Sequence, residues 1–222
     1  MLSNRLQTIF NIISDCDVLA DIGTDHALLP IELIKEEKVK KVYAADIAIG
    51  PLENAKKNIK LNKMEDKIIP ILSDGINDIP DDCDTVVVSG LGYHTCVDIL
   101  QDNFERLYKF KQIVVQINKD SELLRRWISD HHFTIVDEEI VYEGLYYQVI
   151  VFNTNFSDGY SDLEINLGPI LMKKNSKLFK EFLDFLLLKD KEIFAQIPKK
   201  NEKYYQLENN IKSLEWLTRN TK

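Results

Sequence analysis

Cysteine is scarce in this chain: Cys16, Cys83 and Cys96 are the only three in 222 residues, and no two stand at CxxC spacing. An odd, scattered set supports neither a disulfide framework nor a thiolate zinc cluster, so reduced, partly buried thiols are expected. Histidine is as sparse. His26, His94, His131 and His132 show neither HExxH nor any i, i+4 pair that would set two imidazoles on one helix face, and no metal site is expected. With only 8 glycines and 6 prolines, collagen-like and low-complexity classes are excluded. Long apolar runs are missing too: triplets such as Val86-Val87-Val88 and Leu186-Leu187-Leu188 fall far short of the ~18 residues of a membrane span. The first residues, Met-Leu-Ser-Asn-Arg-Leu-Gln, hold no cationic stretch leading into an apolar one, so a cytoplasmic location is expected.

What is present is enough for a core. Hydrophobic residues make up 45% and charged residues 29%, and the length suits one domain of roughly 150 residues with an appendage. The net charge of −8 argues against a nucleic-acid partner when taken as an average. Resolved by region, residues 170–222 carry 12 Lys+Arg against 7 Asp+Glu, a net +5, while residues 1–169 carry 16 against 29, a net −13. An acidic body with a basic tail points to a polyanion met by one part only.

Apolar, β-branched runs alternate with helical patterns through the first two thirds of the chain. Strands are predicted at 18–22, 41–46, 67–72, 84–89 and 111–116, and helices at 27–38, 51–62, 94–103 and 121–131. Pro30 and Pro51 fall in first turns, where a missing N–H costs little. This alternation is that of right-handed crossovers and a parallel sheet covered on both faces, a doubly wound α/β domain. Residues 133–142 and 145–152 flank Glu143-Gly144 with no room for a crossover helix, so an antiparallel hairpin is expected at one edge. Such a closing hairpin resembles the seven-stranded sheet of Rossmann-like class I S-adenosylmethionine (SAM) methyltransferases. Residues 153–168 read as a linker, which sets a domain at 1–155 and an appendage at 156–222. In the appendage, Leu178, Phe182, Leu186 and Phe194 form one stripe and Tyr204, Leu207, Ile211, Leu214 and Leu217 another at heptad-like spacing, so a coiled-coil-like α-helical hairpin is predicted. It is either a packing or dimerisation element or an arm that touches phosphates.

Chemistry concentrates where strands end. Asp21-Ile22-Gly23-Thr24-Asp25-His26 closes the first strand, where ligands of open α/β sheets bind, and Gly23 lets the backbone approach a ligand. The G-x-G-x-x-G fingerprint of dinucleotide sites is missing, and the acids would repel a pyrophosphate. A cationic sulfonium and ammonium would be welcome, which favours SAM. Asp46 and Ile47 end the second strand, where a carboxylate can take both ribose hydroxyls or cap the next helix. Asp74 and Gly75, after the third, can meet the adenine edge. Ser89-Gly90-Leu91-Gly92 follows the fourth strand, as a close approach for a planar substrate or a plain tight turn. Gln116 and Asn118 end the fifth, as amides that bond a base edge or cap a helix. His26 faces the cofactor or is structural. No Asn/Asp-Pro-Pro-Tyr for exocyclic amino methylation is present, and no cysteine stands at the fourth strand end for C5 chemistry.

Together these residues resemble the TrmK family, the bacterial tRNA methyltransferases acting on N1 of adenosine 22. The matching segments are Leu2-Ser3-Asn4-Arg5-Leu6, Ala20 through His26 with Leu29-Pro30, Ala45-Asp46-Ile47 with Gly50-Pro51, Asp74-Gly75, Gly90-Leu91-Gly92, Gln116 with Asn118, Arg126-Trp127-Ile128, Tyr147 and Leu167-Gly168-Pro169. The resemblance implies SAM as methyl donor, tRNA as partner and a helical arm that helps hold it, in a chain read as a monomer without metal or membrane association. It implies that Asp21, Gly23, Thr24, His26, Asp46, Ile47, Asp74, Gly75 and Ser89 hold the cofactor. Gly90, Gly92, Tyr93 and Asn118 then serve the reaction, and Arg5, Lys199, Lys200 and Lys203 meet RNA. Two departures fall where the base should enter: Tyr93 replaces the last glycine of Gly-Met-Gly-Gly, and Ile117 replaces the proline of Gln-Pro-Asn. Tyr93 either stacks on an extruded adenine or narrows the pocket. Rival readings are a SAM enzyme with another substrate and a non-catalytic RNA-binding protein on the same fold.

Overall fold

Runs of Val, Ile and Ala too apolar to face water on either side build the centre of the sheet. The computed structural model describes residues 2–199 and 202–220. Its elements run α1 (Asn4–Ile12), β1 (Val18–Ile22), α2 (Leu28–Lys35), β2 (Lys41–Asp46), α3 (Ile49–Leu61), β3 (Ile68–Leu72), β4 (Thr85–Leu91), α4 (Tyr93–Gln101), α5 (Phe104–Leu107), β5 (Gln112–Ile117), α6 (Ser121–Asp130), β6 (Phe133–Glu143), β7 (Leu145–Phe156), α7 (Asp162–Leu167), α8 (Pro169–Lys174), α9 (Lys177–Gln196) and α10 (Glu202–Asn220). The seven strands lie in the order β3-β2-β1-β4-β5-β7-β6. The first five are parallel, β7 returns antiparallel to β5, and β6 pairs antiparallel with β7.

Side chains alternate across the sheet as the two-residue period demands. Ala20, Ile22, Val86, Val88, Ile113 and Val115 pack on one face with Leu100 of α4 and Leu124, Trp127 and Ile128 of α6. Leu19, Val42, Val87, Val114 and Val149 pack on the other with Ile9 and Ile12 of α1, Leu29 and Leu33 of α2, and Ala55 and Ile59 of α3. Burying each such side chain is worth ~1.5–3 kcal/mol, enough to hold the loops at the strand ends in register.

The predicted strands and crossover helices stand, with boundaries shifted by a few residues, and Pro51 sits in the first turn of α3. The linker expected over 153–168 is corrected. Residues 153–156 complete β7, and 162–167 form α7, opened by a capping box in which Ser161 and Glu164 bond each other's backbone N–H. Arg125 ties α7 to the sheet. Its guanidinium is fully buried, pairs with Glu138 at 2.6 Å, bonds Gln148 and donates to the Ile165 carbonyl at 3.4 Å. Glu138 also accepts from the Ile170 N–H at 2.8 Å. The first compact unit accordingly runs to Ile170, past the division anticipated at 155/156, and the second begins at Leu171.

Within the second unit, Phe194 and Tyr204 stack with ring centroids 4.5 Å apart, and Lys191 pairs with Glu215 at 2.6 Å. Later residues of α10 thus meet earlier residues of α9, and the two helices form an antiparallel hairpin. Among the described residues no helix is long and apolar enough to cross a membrane, and no cluster of His, Cys, Asp or Glu could hold a metal ion.

Candidate active site

The strand order reverses between β1 and β4, and the ligand crevice of an open α/β sheet lies outside the carboxyl ends of the strands at such a switch point. After β1 the chain turns sharply over β2: the Gly23 and Thr24 N–H groups both donate to the Ala45 carbonyl, at 2.9 and 3.0 Å. Gly23 takes φ +76, and a Cβ there would meet only Leu91 Cδ2, at 4.0 Å. Asp25 and Ala27 also lie in the left-handed region, at φ 44 and 52. Gly23 takes this conformation at no steric cost, whereas Asp25 and Ala27 make the loop a strained one, held by the sheet beneath it.

Three acids end three adjacent strands. Asp21 is 4% exposed, and burial pushes its carboxyl up to about 6, against the opposing effect of the neighbouring Thr24 side chain and with a further push from the charge of Asp46. Asp46 is 8% exposed, and its two oxygens accept from the Ala48 N–H at 2.9 Å and the Asp25 N–H at 3.4 Å. Asp46 therefore braces both flanking loops; the N-cap of α3 is Ala48. Asp74 is exposed after β3, on a turn that Ser73 pins by donating to the Gly75 carbonyl at 2.9 Å and accepting from the Asp78 N–H at 3.2 Å. His26 pairs with the exposed Asp25 carboxylate at 3.4 Å. Ile47 and Ile49, each 67% exposed, and Leu28, 48% exposed, give the loops after β1 and β2 an apolar surface. Of these three only Ile47 was singled out from the sequence.

On the other side of the switch point, Ser89, Gly90 and Leu91, read from sequence as following the fourth strand, lie inside β4, and β5 holds the bulged turn that the strand makes at Gly90. Gly90, at φ +78, has its N–H bonded to Gln116 Oε1 at 3.1 Å and its carbonyl to Asn118 Nδ2 at 2.9 Å. Gln116 is fully buried, so the reading of its amide as a base contact is corrected: it supports the turn. Asn118 is exposed, and the helix-cap alternative falls, since the N-cap of α6 is Asp120. Arg5, on α1, donates to Asn118 Oδ1 at 3.2 Å and stacks 5.2 Å above the Tyr147 ring. Ser89 pairs with Gln116 in the ladder, Gly92 caps α4, and half-buried Tyr93 opens that helix with its ring edge-on to His94 at 5.1 Å. Burial pushes the Cys83 and Cys96 thiols up to about 12, so neither is a nucleophile near neutral pH. Lys199 and Lys203 are exposed in the second unit, and Lys200 lies outside the described residues.

The sequence model of TrmK, tRNA (adenine(22)-N(1))-methyltransferase, matches residues 19–216. The chain belongs to the TrmK family. The tRNA (adenine(22)-N(1))-methyltransferase of Bacillus subtilis (strain 168) is 28% identical over 203 residues, 88% of this chain and 85% of that protein. M. capricolum TrmK, solved in complex with S-adenosyl-homocysteine, superposes with a TM-score of 0.86 at 32% identity, over 100% of both chains. The crystal structure of B. subtilis TrmK gives a TM-score of 0.86 at 25% identity, covering 98% of this chain and 99% of that one. The TrmK resemblance of the strand-end motifs thus extends to the whole architecture, the helical hairpin included.

Proposed function

We infer that this chain transfers a methyl group from SAM to N1 of adenosine 22 in tRNA. The observation that carries the reading is the pairing, in one crevice, of the Asp21-Asp46-Asp74 series on one side with the Gly90 turn and exposed Asn118 on the other. The donor set fits SAM. Each Asp46 oxygen takes a single backbone N–H, which leaves lone pairs for the two ribose hydroxyls. Asp21 and Asp46 supply negative charge for a cationic ligand, Ile47 offers an apolar face to a purine, and Asp74 accepts from an exocyclic amine.

When bound, SAM supplies an electrophilic methyl on sulfur. The residues of this chain have little proton chemistry to do, because adenine N1 carries a free lone pair. Inside a helix that atom faces its pairing partner, so the base must first be extruded. The Gly90 turn, without side chains at Gly90 and Gly92, leaves room for the base plane, and the exposed amide of Asn118 is placed to hold its edge. Tyr93 offers a ring on which that base stacks. Positioning of this kind can supply most of the acceleration, and the buried acids favour a base that becomes cationic on methylation. The exposed Lys199 and Lys203 offer cations to tRNA phosphates, and Lys200 is their neighbour in sequence. We take the enzyme to act as a monomer, and in the cytoplasm, where its tRNA substrate is met.

Nucleoside mass spectrometry of tRNA incubated with SAM and the protein tests the reading. N1-methyladenosine at position 22 is expected; another modified nucleoside, or none, would overturn it. Asn118→Ala should slow single-turnover methylation while SAM affinity stays unchanged, and turnover at the wild-type rate would remove Asn118 from the site.

A further inference from the structure

The first turn of α1 reaches the reaction side of the crevice through one side chain. Arg5 is separated from Asn118 by 113 positions in sequence, yet its Nη1 donates to Asn118 Oδ1 at 3.2 Å and its guanidinium lies 5.2 Å above the Tyr147 ring. Tyr147 stands at the start of β7, one residue from Gln148, which pairs with Ile117 at the end of β5. The ring therefore holds the guanidinium just where β5 ends. With Oδ1 held by Arg5, the amide of Asn118 has one orientation, and its Nδ2 is aimed at the Gly90 carbonyl at 2.9 Å. Gln116 holds the Gly90 N–H at 3.1 Å, so both sides of this left-handed residue are bound from β5. A chain of contacts runs from α1 through Asn118 to the turn where the base must enter. The buried Arg5 Nε finds no protein acceptor among the described residues. Enclosing that donor costs stability, which is a poor bargain for a residue that only packs.

Resting on the methyltransferase reading above, we propose that Arg5 is a positioning residue of the transfer reaction: stacked on Tyr147, it orients the Asn118 amide and, through it, the Gly90 turn. Arginine suits the task better than lysine, since its plane can stack and donate at once. A second consequence follows from the charge. An Asn118 oxygen that accepts from a guanidinium still has a lone pair for the N6 amine of adenine, so Arg5 and the base can be held by one atom.

The test is a double-mutant cycle on the full-length protein with Arg5→Ala, Asn118→Ala and the pair, read as kcat and KM for tRNA, with SAM affinity by calorimetry. Arg5→Ala should lower kcat by about tenfold to a hundredfold with SAM affinity unchanged, and the pair should be no slower than Asn118→Ala alone. Arg5→Lys should recover only part of the loss, and Tyr147→Leu, which keeps volume but loses the ring face, should show a smaller fall of the same kind. A rise in KM with kcat intact, or losses that multiply in the double variant, would overturn the proposal in favour of a phosphate contact. A readout independent of turnover is the Asn118 side-chain NH2 signal in NMR, which should move in Arg5→Ala without SAM or tRNA. If it does not, the positioning role fails; if it does while wild-type protein methylates no adenosine, it is the assigned reaction that fails.

Discussion

At the end of β1, burial sets the Asp21 carboxyl at about 6, well above the 3.8 of a free aspartate, and so its charge is lost within a mildly acidic range. The folded chain then holds this proton more tightly than the unfolded one. The contribution of Asp21 to stability falls as pH rises from about 4 through about 6 and is level above that. Ligand binding should run the other way, since a cationic methyl donor needs the carboxylate. SAM affinity is expected to rise with pH through about 6 and flatten beyond, by at most tenfold per pH unit. Asp21→Asn removes a buried charge, so the ligand-free variant should melt higher than wild type at pH 8 yet bind SAM more weakly and without the pH step. Calorimetric titration and thermal melts between pH 5 and 8 measure both. A variant that binds like wild type with an unaltered pH profile would place Asp21 outside the site.

Among the elements, the Arg125-Glu138 pair joins α6, β6, β7 and α7, both side chains being fully buried at 2.6 Å. Removing one partner leaves the other charge uncompensated in a dry interior, at a cost of about 3–5 kcal/mol. Glu138→Gln keeps size and an acceptor for the Ile170 N–H, so its effect isolates the charge: a loss of that size in denaturant unfolding is expected, and a loss under 1 kcal/mol would show that the pair is not what holds α7. Neither residue was legible beforehand. Strands and crossover helices were, because β-branched runs and three-to-four spacing are local signals that burial on the sheet reinforces. Asp21, Asp46 and Asp74 were legible for a related reason: position at a strand end is itself a coordinate in this fold. The α7 helix was misread as linker on its Asn, Ser, Asp and Gly content, although Ser161 and Glu164 stood at capping-box spacing. What could not be read is what depends on partners far apart in sequence. Arg5 with Asn118 and Arg125 with Glu138 acquire meaning only once the sheet sets them side by side.

Over the whole chain, a net charge of −8 hides the opposition between an acidic first part and a basic tail. The structure refines what the tail's +5 can offer. Lys177, Lys191, Lys212 and Arg219 stand against Glu181, Glu215 and Glu208 within the helical hairpin, so those cations spend much of their field on neighbours. Lys199 and Lys203 are exposed where α9 gives way to α10, and they are the lysines assigned to phosphates. If each neutralises one phosphate, Lys199→Gln and Lys203→Gln together should make the slope of log affinity for tRNA against log salt shallower by about 0.7–0.9 per lysine. SAM affinity and the pH step assigned to Asp21 should not change, because the acids lie in the other unit. Filter binding across a salt series, with calorimetry at one salt, measures both. An unchanged slope would leave the hairpin as a packing element, and RNA affinity would then have to come from the acidic unit. With 29 acids against 16 bases there, raising salt would screen repulsion and strengthen binding, so the sign of the slope alone separates the two arrangements.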